Sequence, residues 1–325
     1  MRVVFWGSPE FAVAVLESVL ASAHEVAAVV TRPPRPGGRG RRVRPTPVAR
    51  LADSAGVPVL VPKRLRKEAF ASELAGVAAD VFLVAAYGAI LPPAILSLAP
   101  HGSLNVHASL LPEYRGAAPV TRAILDGRSE TGITIMRVEE GLDSGAICLQ
   151  ASEPILADDT AGTLTDRLAA LGGRLAVEAL DRLQAGMLTE TPQDHARATY
   201  AAKVSTEDAR IDWSRPAAVI ERATRAFDPW PGAWTTFRGE RLKVFRVSPW
   251  PGSGGDGKPR SPADEGESRA DAAEPGDVVA LDPAPVVMAG DGAVRLDLVQ
   301  QPGARRRSGA EWARGRAVRP GERLG

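Results

Sequence analysis

An α/β fold, with a doubly wound, mostly parallel sheet followed by a smaller β-barrel domain, is what this sequence predicts. Three observations carry that reading. In the first half, short β-branched runs alternate with segments of helical periodicity. Those runs are almost continuously apolar, as strands covered on both faces must be. In the last third, shorter strand-like runs are separated by glycine-containing turns such as Arg238-Gly239-Glu240 and Gly290-Asp291-Gly292.

Residues 2–6 read as the first strand. Residues 9–21 follow as a helix carrying Phe11, Val15, Leu16, Val19 and Leu20 at helical spacing. Further strands are predicted at 25–31, 57–61, 79–85 and 103–106. From 160 to about 186, leucines from Leu164 to Leu183 mark a longer helix that closes a first domain, taken as 1–187. Residues 188–206 lose this periodicity and are expected to be a linker. A second domain, 207–325, then shows a helix near 216–227 and strands at 233–237, 241–247, 277–281, 286–288 and 293–300. Within it, residues 252–276 are rich in Gly, Ser, Pro, Asp and Glu. They bury too little apolar surface to offset ordering entropy, so a disordered loop insertion is expected.

A chain of 325 residues suits two domains, and a net charge of +1 gives no global attraction for nucleic acid. Any polyanion must therefore be met by a local patch. The single cysteine, Cys148, excludes an intrachain disulfide and suits a reducing cytosol. The first residues read directly as a strand, without a signal peptide's basic and apolar regions. The longest apolar run, 81–96, is broken by Gly88, Pro92 and Pro93, so no membrane span is expected and a cytoplasmic location is.

The chemistry concentrates in Asn105-Val106-His107, Ser109-Leu110-Leu111-Pro112 and Gly141-Leu142-Asp143-Ser144-Gly145. Strand alternation sends Asn105 and His107 to one face and Val106 to the other, and Pro112 places the pair near the strand's end. The C-terminal ends of such strands are where open α/β sheets bind ligands. His24, His101 and His195 look structural. His107 differs, because Asn105 shares its face and a Gly-flanked Asp143 could reach it.

An amide, an imidazole and a carboxylate suit acyl-type transfer to an amine. Amide and imidazolium N–H groups can stabilise the oxyanion, each worth roughly 3 kcal/mol. The carboxylate can accept the ammonium proton. Separately, Asp143 also reads as a turn residue and Asn105 as a strand-end hydrogen bonder. The first turn, Gly7-Ser8-Pro9-Glu10-Phe11, lacks the G-x-G-x-x-G spacing of dinucleotide sites. Paired Cys or close-spaced His ligands are absent from the sequence, so no metal is expected. Residues 32–50 carry seven arginines and no acid, either a solvated loop or a polyanion contact.

These segments resemble the methionyl-tRNA formyltransferase family over nearly the whole chain. The resemblance extends to Phe5-Trp6-Gly7-Ser8-Pro9, Arg115-Gly116-Ala117-Ala118-Pro119, Ile211-Asp212-Trp213-Ser214 and Phe227-Asp228-Pro229-Trp230-Pro231. It implies a Rossmann-like formyltransferase fold with an OB-like second domain, acting on 10-formyltetrahydrofolate and initiator methionyl-tRNA, without a membrane partner and as a monomer. It implies catalytic roles for Asn105, His107 and Asp143. The folate site would involve Ser109, Leu110, Leu111 and Pro112, with Tyr87, Gly88, Ile90 and Leu142. The basic loop, with Arg39, Arg41 and Arg42, would meet the tRNA acceptor end. Trp6 is larger than the family's usual residue and is expected to reshape the wall near the first turn. The trio alone fits a small-molecule formyltransferase equally, and a non-catalytic RNA-binding module is the alternative of another class.

Overall fold

The chain runs β1 (Arg2–Gly7), α1 (Glu10–Leu20), β2 (Glu25–Val30), β3 (Arg35–Gly37), β4 (Arg42–Arg44), α2 (Pro47–Ser54), β5 (Val59–Leu60), α3 (Glu68–Ala75), β6 (Val81–Ala85) and α4 (Pro93–Leu96). It continues through β7 (Ser103–His107), β8 (Arg115–Gly116), α5 (Pro119–Leu125), β9 (Glu130–Arg137), β10 (Ile147–Pro154), α6 (Ala161–Gln184) and β11 (Tyr200–Ala201). The remainder is α7 (Ala217–Ala226), β12 (Trp234–Phe237), β13 (Glu240–Pro249), β14 (Val278–Ala280), β15 (Val286–Ala289), β16 (Gly292–Gln300), β17 (Arg307–Ser308) and α8 (Gly309–Arg316). The structure is a computed structural model that describes residues 1–37, 42–250 and 273–325.

Two units cluster separately: 1–120, 129–155 and 163–203 form the first, and 121–128, 156–162 and 204–325 the second. Residues 121–128 and 156–162 count with the second because α7 holds them. Arg222 Nε donates to Leu125 O at 3.1 Å, and Arg225 Nη1 donates to Asp159 O at 3.0 Å.

The first unit is a seven-stranded sheet in the order β10-β9-β7-β6-β1-β2-β5. The pairs β1–β2, β1–β6, β2–β5 and β6–β7 are parallel, whereas β9 runs antiparallel to both β7 and β10. The mostly parallel sheet is thus as expected, with an antiparallel margin that apolar runs did not reveal. Trp6 lies in its core, fully buried, edge-on to Phe70 and Tyr87 at 6.2 and 5.2 Å between ring centroids. Helix α6 covers the other side at close range. A Cβ on Gly172 would lie 2.9 Å from Val106 Cγ1, and one on Gly173 only 2.1 Å from Ser18 Oγ. Two successive glycines therefore let this helix settle on β7 and α1.

Of the stretch expected to be a linker, residues 188–203 are tied into the first unit and 204–206 fall in the second. Thr191 and Ile147 exchange backbone hydrogen bonds of 2.8 Å, and β11 pairs in parallel with β8.

In the second unit, an antiparallel sheet runs β12-β13-β16-β15-β14, with β17 added to β16. Its two ends are joined by the last residues of the chain. Phe237 bridges Leu324, Asp277 bridges Arg323, and Leu324 N donates to Gly276 O at 2.8 Å. Helix α8 was not anticipated. It begins at Ser308, whose hydroxyl accepts from Glu311 N at 3.2 Å while the Glu311 carboxylate accepts from Ser308 N. Most of the expected loop insertion lies outside the described residues. Its last part does not: Gly276 N donates to Met288 O at 2.9 Å. Among the described residues, no helix is long and apolar enough to cross a membrane.

Candidate active site

Strand β7 presents Asn105 and His107 on one face, while Val106 meets Gly172 of α6 on the other. In register, Asn105 stands opposite Met136 and His107 opposite Thr134 of β9. His107 is buried and Asn105 half-buried. Among the described residues, the Asn105 amide has no hydrogen-bond partner.

Asp143 comes from the connection between β9 and β10, in the left-handed region at φ +48°. Gly145, two residues on, permits that loop to close: a Cβ there would lie 2.1 Å from Arg137 O. The Asp143 Oδ2 accepts from Gly116 N at 2.8 Å and lies 3.7 Å from His107 Nδ1. His107 Nε2 is 2.9 Å from Tyr114 O. A carbonyl can only accept, so this nitrogen carries a hydrogen and Nδ1 alone is available for other work.

The turn Ser109–Pro112 is fixed on β9. Thr134 Oγ1 donates to Ser109 O at 2.7 Å and accepts from Leu111 N at 3.1 Å, while Gln150 Nε2 donates to Leu111 O at 2.8 Å. Leu111 is buried, Leu110 and Pro112 are half-buried, and the Leu111–Pro112 peptide is cis. Of the other residues assigned to folate, Tyr87 is buried against Trp6 and presents no open face. Burial pushes its hydroxyl pKa up against the opposing pull of Arg32. Gly88 is exposed, and Ile90 and Leu142 leave 74% and 55% of their surfaces to solvent. Ile90 lies on the connection after β6 and Leu142 on the one after β9. Arg39 and Arg41 lie outside the described residues, and Arg42 opens β4.

Sequence reasoning missed Gln193. Its Nε2 donates to Asp143 O at 2.9 Å and Gly145 O at 2.7 Å, and its Oε1 accepts from Arg115 Nε at 3.0 Å and Nη2 at 2.7 Å. His195, read as structural, lies in the same network, with its Nδ1 3.1 Å from Arg115 Nη2. An open cleft of about 770 Å³ in the second unit, lined partly by Arg210, Asp212, Trp213 and Arg323, contains none of the predicted catalytic residues.

The formyl transferase family matches residues 1–180, and the formyl transferase C-terminal domain matches residues 203–317. A methionyl-tRNA formyltransferase of Aromatoleum aromaticum is 47% identical over all of this chain and 97% of its own. One from Marinobacter nauticus is 44% identical over the full length of both. The chain belongs to the methionyl-tRNA formyltransferase family. Family membership makes it a formyl-transferring enzyme and accounts for both matched regions. Solved structures share the fold at lower identity. HypX from Aquifex aeolicus in complex with tetrahydrofolic acid is 19% identical at a TM-score of 0.60, over 96% of this chain and 47% of that one. WlaRD, a sugar 3N-formyl transferase, is 16% identical at 0.61, over 94% and 99%.

Proposed function

We propose that this chain transfers the formyl group of 10-formyltetrahydrofolate to the α-amine of initiator methionyl-tRNA, with Asn105, His107 and Asp143 as the catalytic set. The observation that carries the assignment is the approach of Asp143 to His107 Nδ1, at 3.7 Å, on the strand whose Asn105 amide has no hydrogen-bond partner among the described residues.

The donor supplies an electrophilic formyl carbon. As the amine attacks it, the carbonyl oxygen gains negative charge and the nitrogen positive charge. Asn105 donates an amide N–H to that oxygen, an effect worth about 3 kcal/mol. His107 cannot contribute Nε2–H, which Tyr114 O holds. Its Nδ1, when protonated, is the second donor. Gly116 N occupies one oxygen of Asp143. The other accepts the ammonium proton and retains it for the leaving nitrogen.

Exposed Ile90 and Leu142, with the fixed 109–112 turn, support the folate assignment. For tRNA, the basic loop between β3 and β4 is one proposed contact. Exposed Arg305, Arg307, Arg314 and Arg319, which form no ion pair with any described residue, are another. We assign the cytoplasm as the place of action and the monomer as the working form; a sedimentation coefficient above that of a monomer would overturn the latter.

The deciding assay incubates the protein with charged initiator tRNA and the folate donor and detects formylmethionyl-tRNA. Product on an amino sugar but not on tRNA would overturn the acceptor. Arg39→Ala should raise KM for tRNA while leaving folate binding alone, and unchanged tRNA kinetics would return the basic loop to plain surface.

A further inference from the structure

Asp143 is gripped at both ends by one short circuit of residues. Its carboxylate accepts from Gly116 N at 2.8 Å, and its own backbone carbonyl accepts from Gln193 Nε2 at 2.9 Å. The circuit is closed by Arg115, the neighbour of Gly116, whose Nε and Nη2 donate to Gln193 Oε1 at 3.0 and 2.7 Å. The second Nε2 hydrogen reaches Gly145 O at 2.7 Å, across the left-handed residue at Asp143.

Every hydrogen-bonding capacity of the Gln193 side chain is thereby used: two bonds accepted and two donated. Gln193 and Arg115 are 6% and 3% exposed, so water scarcely competes. Among the described residues, Arg115 has no carboxylate within ion-pair distance. A buried guanidinium bonded to an amide and an imidazole, with no carboxylate beside it, is an expensive way to hold a loop by general packing. It is well suited to fixing one carbonyl and one amide relative to each other.

We propose that Gln193, oriented by Arg115, is the positioning residue that sets Asp143 against His107. This rests on the reading of Asp143 as the proton acceptor. Glutamate at 193 would keep the bond to Arg115 but turn an oxygen toward two carbonyl oxygens. Methionine would keep the length and lose all four bonds.

The test is steady-state formylation of charged tRNA by Gln193→Glu, Gln193→Met, Asp143→Asn and the doubles, alongside thermal melting. Each Gln193 variant should lose about 10-fold or more in kcat, as misplacement of a reacting group does, with both KM values within about twofold of the parent. Gln193→Glu keeps its pair with Arg115, so it should still fold, and its kcat is read well below its melting temperature. A Gln193→Met, Asp143→Asn double should be no slower than Asp143→Asn alone, because the residue acts through Asp143. Parental kcat in the Gln193 variants, or losses that multiply in the double, would overturn the proposal. So would losses that follow melting temperature alone. Parental kcat in Asp143→Asn would instead remove the catalytic reading of Asp143 itself, and the positioning role with it.

Discussion

Replacing His107 or Asn105 by Ala is expected to lower turnover by about 10²-fold, as single-donor losses do elsewhere, and near-parental turnover would remove that residue's role. Both were legible because alternation on a strand is a strong rule and β7 obeys it. Asp143 was legible from its flanking glycines, although its left-handed backbone was not. Gln193 was not legible at all. It sits in an aperiodic polar stretch, and only tertiary folding brings it 50 residues back along the chain to Asp143. Trp6 shows the same limit: the sequence marks an unusual residue, but not that its Nε1 would be buried without a hydrogen-bond partner among the described residues. Cys148 provides a separate check. Burial raises its thiol pKa to about 11, so the thiolate is scarce at neutral pH. A disulfide reagent should label it slowly in the native protein and fully in denaturant.

Among the elements, helix α6 offers the sharpest test. Gly172→Leu must push either β7 or the helix aside and should cost about 1–3 kcal/mol or more, read from urea midpoints. A helix-propensity gain of up to about 1 kcal/mol opposes this and is the smaller effect. The central strands were read correctly because doubly covered strands are apolar throughout. Strand β10 escaped because, at the sheet's margin, it mixes polar and apolar residues, and β9 because Thr131, Gly132 and Thr134 interrupt its apolar run. Helix α8 escaped because eight residues with two glycines and two arginines carry little periodicity, although its capping box was present in the sequence as Ser308-Gly309-Ala310-Glu311.

For the whole molecule, pH and salt should act through different groups. Desolvation of buried His24 lowers its pKa below 6.5, outweighing the raising effect of Asp181. The unfolded chain therefore takes up that proton first as pH falls. Stability from this group is complete above about pH 6.5 and is lost as pH drops through the lower native value. His24→Leu should flatten the decline of urea midpoints between about pH 7 and pH 5. Salt should leave those midpoints nearly unchanged while weakening tRNA use, with a log–log slope of about −0.7 to −0.9 per phosphate contact. The bridges made by Arg323 and Leu324 carry one more consequence. Removing the final five residues would bare the backbone of β12 and β14 along two raw margins. Such margins recruit neighbouring molecules, so the shortened protein should form oligomers at rising concentration while the site around His107 stays intact.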